Sequence, residues 1–250
     1  MHHIRPARIT WVIFATLTLS LSACAGATSQ TQPSPEASQT SSDADEVNAA
    51  PGGNLQENVD RPTSKPYTGD LEIFEDRLRD RNLQIGRVMD VLRIEKGSNV
   101  ADIGAGSGWF TSRAARRVGS SGRVYAVDIN RDYIKYIEAR AEREKLSNVR
   151  AILGKEDDPL LPQQSVDAVL LLKTYHEIAQ PIRLLKQLRQ SMRSGARLGI
   201  IDRNGTGSDH GLDRDTVVSE AKRAGFELIE QYDFVKPDGM DYFLVFRSNR

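Results

Sequence analysis

The segment Asp102-Ile103-Gly104-Ala105-Gly106-Ser107-Gly108 combines a carboxylate with glycine at every second position. Missing Cβ atoms let a ligand approach the backbone, and a helix starting behind such a loop offers unpaired N–H donors. The chemistry indicated is the docking of a small polar ligand. A second carboxylate, Asp128, closes the run Arg123 to Asp128. At a strand end it can accept hydrogen bonds from both hydroxyls of a ribose, and it can equally cap the helix that follows. The dinucleotide fingerprint G-x-G-x-x-G requires glycine at position 109, which is Trp109, so NAD and FAD are disfavoured.

A second chemical group, Lys173-Thr174-Tyr175-His176-Glu177, follows the apolar run Val166 to Leu172. It falls at the carboxyl end of a strand, where α/β sheets present their ligands. Neutral His176 can act there as a general base with Glu177 orienting it, and a histidine in this place serves as often as a cap or structural donor. His210 lies in a Gly, Ser and Asp-rich loop and reads as solvated, with closure over the same site as the sharper reading. Trp109 and Tyr175 are either aromatic walls or core. No close ligand spacing marks a metal site, and there is no G-x-S-x-G elbow, so neither a metal centre nor a serine hydrolase is expected.

Elements must hold these residues in place. Apolar runs predict strands at Asn99 to Ile103, Arg123 to Asp128, Val149 to Leu153, Val166 to Leu172 and Arg197 to Ile201. Periodic segments predict helices at Asp80 to Leu92, Phe110 to Val118, Asp132 to Lys145, Pro181 to Met192 and Asp213 to Ala224, with Gly97, Gly119, Gly195 and Gly225 as stop signals. This alternation is a parallel α/β rhythm. It breaks at the end, where Phe226 to Phe234 and Tyr242 to Phe246 are joined by Lys236-Pro237-Asp238-Gly239, too short for a crossover helix, so these strands should pair antiparallel.

The chain has 34 basic and 34 acidic residues, and this balance gives no field that favours nucleic acid. Its start is a different kind of sequence. Arg5 and Arg8 precede the apolar run Ile9 to Leu21, which falls short of the roughly 20 residues a spanning helix needs. This reads as an export signal over residues 1–23. Leu21-Ser22-Ala23-Cys24 resembles the lipobox of bacterial lipoproteins, which implies cleavage before Cys24 and a lipid anchor on it; ordinary cleavage after Ala25 or Ala27 is the other reading. Residues 24–60, rich in Ser, Thr, Pro and Gln, read as a disordered tether, and 61–250 as one folded domain. The only cysteine being Cys24, the domain is expected to rest on its core without disulfides.

The runs VADIGAGSG and VYAVDIN resemble the first and second motifs of class I S-adenosylmethionine-dependent methyltransferases, a likeness covering roughly Gln84 to Arg247. It implies a Rossmann-like α/β sheet of about seven strands, mostly parallel with an antiparallel C-terminal hairpin and helices on both faces. It also implies that the amino-acid part of the cofactor is held by Asp102, Gly104, Ala105 and Gly106, with Ser107 and Gly108 completing the loop, and that Asp128 and Ile129 hold the ribose side. In the third motif an acid sits beside adenine; Asp157 is favoured here and Glu156 is close behind, with Lys173 bordering the site. Asp-Asp-Pro before the fourth strand and Tyr175-His176-Glu177 after it are similar to a group of small bacterial methyltransferases, and place His176, Glu177 and Tyr175 on the catalytic side.

The expected protein is therefore a lipid-anchored methyltransferase of the bacterial envelope, using S-adenosylmethionine on a small-molecule or envelope substrate, with no oligomeric state indicated. Export separates it from the cytoplasm where that cofactor is made. A binding or interaction lipoprotein that keeps the fold without turnover is the alternative.

Overall fold

The computed structural model describes residues 61–236 and 238–249, and the signal, Cys24 and tether expected from the sequence lie outside them. None of the helices among the described residues is long and apolar enough to cross a membrane.

Seven strands form one sheet: β1 (Asn99–Ile103), β2 (Arg123–Asp128), β3 (Val149–Leu153), β4 (Val166–Leu172), β5 (Met192–Arg203), β6 (Phe226–Tyr232) and β7 (Asp241–Ser248). Their order is β3-β2-β1-β4-β5-β7-β6. The first five strands run parallel, and β7 inserts antiparallel between β5 and β6. The helices are α1 (Arg79–Leu83), α2 (Ile85–Val91), α3 (Trp109–Val118), α4 (Arg131–Arg143), α5 (Pro181–Ser191) and α6 (Arg214–Arg223).

Strand β4 shows why the apolar runs become strands. It is central, and Val166, Ala168, Val169, Leu170 and Leu171 are all fully buried. A parallel strand covered on both faces is apolar at successive positions rather than at alternate ones, and the exception here, Asp167 near the strand's start, pairs with Arg193. Two cores result: Val169 and Leu171 join the cluster with α5 and α6, while Ala168 and Leu170 join Trp109, Phe110 and Val118 of α3. The helix starts follow from local donors. Asn130 accepts from the Asp132 amide ahead of α4, and Asp213 accepts from the amides of Asp215 and Thr216 ahead of α6.

Two expected elements differ. The helix expected over Asp80 to Leu92 is broken at Gln84, whose backbone is left-handed at φ 46°. Its side-chain amide donates to the Phe234 carbonyl, which ties the break to the C-terminal hairpin. Strand β5 starts five residues before the expected Arg197, directly at the end of α5. Met192 pairs with Val166 and pairing resumes at Arg197 with Ala168, so Arg193 to Ala196 form an irregularity around Gly195 at φ 79°.

Gly199 lies within β5 under the turn that ends α2. A Cβ placed there would stand 2.9 Å from Leu92 Cδ2 and 3.0 Å from Phe243 Cε2. We expect Gly199→Val to destabilise the protein by about 1–3 kcal/mol through overpacking, read as a lower urea midpoint; an unchanged midpoint would show that this contact is slack.

Candidate functional site

The carboxyl ends of β1, β2 and β4 enclose a cavity of about 560 Å³. One wall is the loop after β1. Gly104 and Gly106 take φ of 69° and 53°, which turns the chain back across the strand ends. The amides of Gly104 and Ala105 both donate to the Val127 carbonyl (2.9 and 3.0 Å). The Gly106 amide donates to Asp128 Oδ2 at 2.9 Å, and Asp128 Oδ1 accepts from the Asn130 amide. Asp128 thus fastens the glycine loop, while the cap on α4 is Asn130. A side chain at Gly104 would meet Thr174 at 2.4 Å, so the loop rests on the segment after β4.

Asp102 is buried beneath this loop, where Thr111 Oγ1 donates to its carboxylate at 2.6 Å. Burial pushes its pKa up to about 6 against that hydrogen bond and the nearby Arg79. The Arg79 guanidinium stands 4.4 Å from the centre of the Trp109 ring, and burial lowers its own pKa to about 10. The Trp109 indole N–H is buried without a partner, and Trp109 lines the cavity. Glu75 accepts from Ser107 Oγ (2.8 Å) and Arg140 (2.6 Å), which fixes the far end of the loop.

Most residues expected at a cofactor site line this cavity: Asp102, Gly104, Ala105, Gly106, Ser107, Asp128, Ile129, Glu156 and Lys173. Two do not. Gly108 faces the neighbouring helix, where an added Cβ would lie 3.3 Å from Ile137. Asp157, the favoured acid of its turn, pairs with Arg183 at 3.0 Å outside the cavity, and Glu156 is the acid that lines it. Lys173 borders the space by its backbone turn, at φ 57°, while its ammonium pairs with Asp241 at 2.5 Å.

The β4 end carries the second chemical group. Glu177 lines the cavity, and burial raises its carboxyl to about 7 despite neighbouring His176. His176 is buried behind it, and its Nδ1 lies 2.8 and 3.0 Å from the two oxygens of Asp202. Asp202 Oδ2 also accepts from the His176 amide. The carboxylate that orients the imidazole is therefore Asp202, at the end of β5, and not Glu177, whose Oε1 stands 3.9 Å from Nε2. His210 comes to the same place, its ring centre 5.8 Å from that of His176. Tyr175 does not: its ring is core and its hydroxyl donates to Glu220 at 2.9 Å.

Sequence reasoning missed the segment that roofs the site. Thr63 to Thr68 line the cavity, and Ser64 is the fastener: its amide donates to the His176 carbonyl, its hydroxyl to the Gly207 carbonyl, and it accepts from the His210 amide. Arg61 anchors the start of this segment on Glu220 at 2.7 Å. Asp202 carried a readable signal, being an acid at a strand's carboxyl end like Asp102 and Asp128. The roof carried none.

A carboxylate can only accept, so Asp202 requires the Nδ1–H tautomer of neutral His176. Long-range nitrogen–proton NMR should show that tautomer, and Asp202→Leu should lose it; a native Nε2–H tautomer would show that Asp202 does not set the ring.

Residues 94–230 match the family profile described as a methyltransferase domain. Among curated relatives, the demethylmenaquinone methyltransferase of Listeria welshimeri is 25% identical over 114 residues, covering 46% of this chain and 48% of its own length. The protein-L-isoaspartate O-methyltransferase of Pyrococcus horikoshii is 28% identical over 102 residues, covering 41% and 44%. The chain spans about half the length of these curated relatives. A SAM-dependent methyltransferase from Aquifex aeolicus has the same fold, with a TM-score of 0.65, 22% identity, and coverage of 72% of this chain and 98% of its own. The glycine loop, the Asp128 carboxylate and the profile match agree, and the chain belongs to the methyltransferase-domain family, whose cofactor is S-adenosylmethionine.

Proposed function

We propose that the chain transfers a methyl group from S-adenosylmethionine to a small-molecule or envelope-borne acceptor, and does so from the outer side of a bacterial membrane to which Cys24 anchors it. The observation that carries the reading is one cavity with the Asp102–Asp128 glycine loop at one end and Glu177 at the other.

The residues present fit this cofactor. Asp102 suits an ammonium group, the Asp128 carboxylate suits vicinal hydroxyls, Glu156 suits an exocyclic amine, and the unpartnered Trp109 N–H is a donor awaiting an acceptor. When bound, S-adenosylmethionine supplies a methyl group activated on a sulfonium. The chain's own contribution is largely positional, since in-line displacement depends on alignment. The roof from Thr63 to Thr68 keeps water from the reacting end, and the His176–Glu177 pair receives the acceptor's proton where the acceptor holds one tightly.

Calorimetry of the full chain in detergent should show binding of S-adenosylmethionine and S-adenosylhomocysteine. Asp128→Ala should weaken it by about 10–100-fold, the loss of a charged hydrogen-bonding partner. No heat with the intact chain would end the reading. Binding without methyl consumption in membrane extract would instead favour the non-catalytic lipoprotein. A Cys24→Ser variant should lose both radiolabelled acyl chains and membrane association.

The raised pKa of Asp102 gives a sign to the pH dependence. Its free carboxyl titrates near 6 and an ammonium group beside it selects the ionised form, so protonation must be reversed before binding at lower pH. Affinity should therefore hold above pH 6 and fall below it by up to about tenfold per pH unit. Asp102→Asn should bind more weakly, without that slope.

A further inference from the structure

We propose that His176, Glu177 and His210 form a binding site for a divalent transition-metal cation of the zinc type. The inference deepens the acceptor end described above, and rests on that reading only for what the cation would do there.

The starting point is a convergence of ligand atoms. Asp202 is fully buried and both of its oxygens face His176 Nδ1, which assigns the ring proton to that nitrogen. Nε2, turned away from Asp202, then faces Glu177 Oε1 at 3.9 Å, a gap too long for a hydrogen bond. An ion that takes nitrogen and oxygen ligands at about 2.0–2.2 Å fits between them. His210 supplies the third ligand: the available atoms of all three side chains lie within 4.8 Å of one another. Its ring stands almost perpendicular to that of His176, at 87°, so the pair is not a stack.

Ser64 holds the two histidine segments against each other. Its hydroxyl accepts from the His210 amide at 2.9 Å while its own amide donates to the His176 carbonyl. The same residue thus brings both histidine segments together.

The ligand chemistry selects the cation. Two imidazoles and one carboxylate suit zinc and its transition-metal neighbours, whereas magnesium and calcium take oxygen ligands. A carboxylate on the remote nitrogen of a ligating histidine, as Asp202 provides, is the usual support of such a site. Three protein ligands leave a coordination position open, and Glu177 places it beside the cavity. There a cation would make an acceptor hydroxyl more acidic, with Glu177 serving as ligand instead of base.

The test is zinc titration of the chelator-stripped full chain, in a His2→Ala/His3→Ala background that leaves only the two histidines in question. One equivalent of zinc should bind, and cobalt should give visible d–d bands at the same stoichiometry. His210→Ala, at an exposed position and checked for folding by circular dichroism, should abolish one-equivalent binding, as should Glu177→Gln. Asp202→Asn should weaken it by about 10–100-fold. No zinc on the parent chain, or unchanged affinity in folded His210→Ala, overturns the site. S-Adenosylmethionine is titrated into the same metal-free protein. Cofactor uptake without zinc uptake overturns the cation site alone, and zinc uptake without cofactor uptake upholds it while overturning the methyltransferase reading.

Discussion

The hydrogen bond from the Gly106 amide to the Asp128 carboxylate is the contact on which the cofactor end depends. It exists because β1 and β2 run parallel in register, Asp102 beside Ala126 and Ile103 beside Val127, so that their carboxyl ends finish level. The Val127 carbonyl then takes the two amides that precede Gly106, and the loop has a fixed path between β1 and α3. Ionised Asp128 has capacity beyond the amides it already accepts, and that remainder faces the cavity. Burial nonetheless pushes its pKa up, so the strand end stores an unfavourable charge that a bound hydrogen-bond donor relieves.

Much of this was legible because it is local. Strands β1 to β4 have the bounds the apolar runs predict; the central β1, β2 and β4 mark themselves by nearly continuous burial, and edge strand β3, half-exposed, by its short β-branched and aliphatic run. Asp102, the glycines and Asp128 come from two such strand ends, and their roles need only the neighbouring strand. The break at Gln84 and the early start of β5 were not legible, because each is imposed from outside: Phe234 receives the Gln84 amide, and Val166 pairs with Met192 beyond a helix. The exchange of Asp157 for Glu156 is of the same kind. Arg183 on α5 pairs with Asp157 outside the cavity, which leaves Glu156 as the acid on its lining.

The acceptor end is non-local throughout. His176 follows β4, Asp202 ends β5, His210 belongs to the next loop, and Ser64 arrives from far upstream, so no single window of sequence contains the whole set. The bond between Glu220 and Tyr175 extends the dependence, since Glu220 also holds Arg61 at the start of the roof. The geometry around His176 is therefore conditional on the N-terminal segment in a way that the glycine loop is not.

That division has an electrostatic consequence. Asp102, Asp128, Glu156 and Glu177 all border one cavity; of the cations on the same lining, Arg79 lies against Trp109 and Lys173 is paired with Asp241, while Lys65 and Lys155 border the space as well. Burial raises Asp102, Asp128 and Glu177, and the Asp128 charge further disfavours ionisation of Asp102 and of Glu177. The buried acids Asp102, Asp128 and Glu177 gain from a ligand that sets positive charge against them, because it relieves desolvated carboxylates. A sulfonium with an ammonium group answers that demand at the loop, and a divalent cation answers it at Glu177. The two ends are thus coupled through the same field: filling either with positive charge lowers the pKa of the acids at the other and readies them for ionic contact.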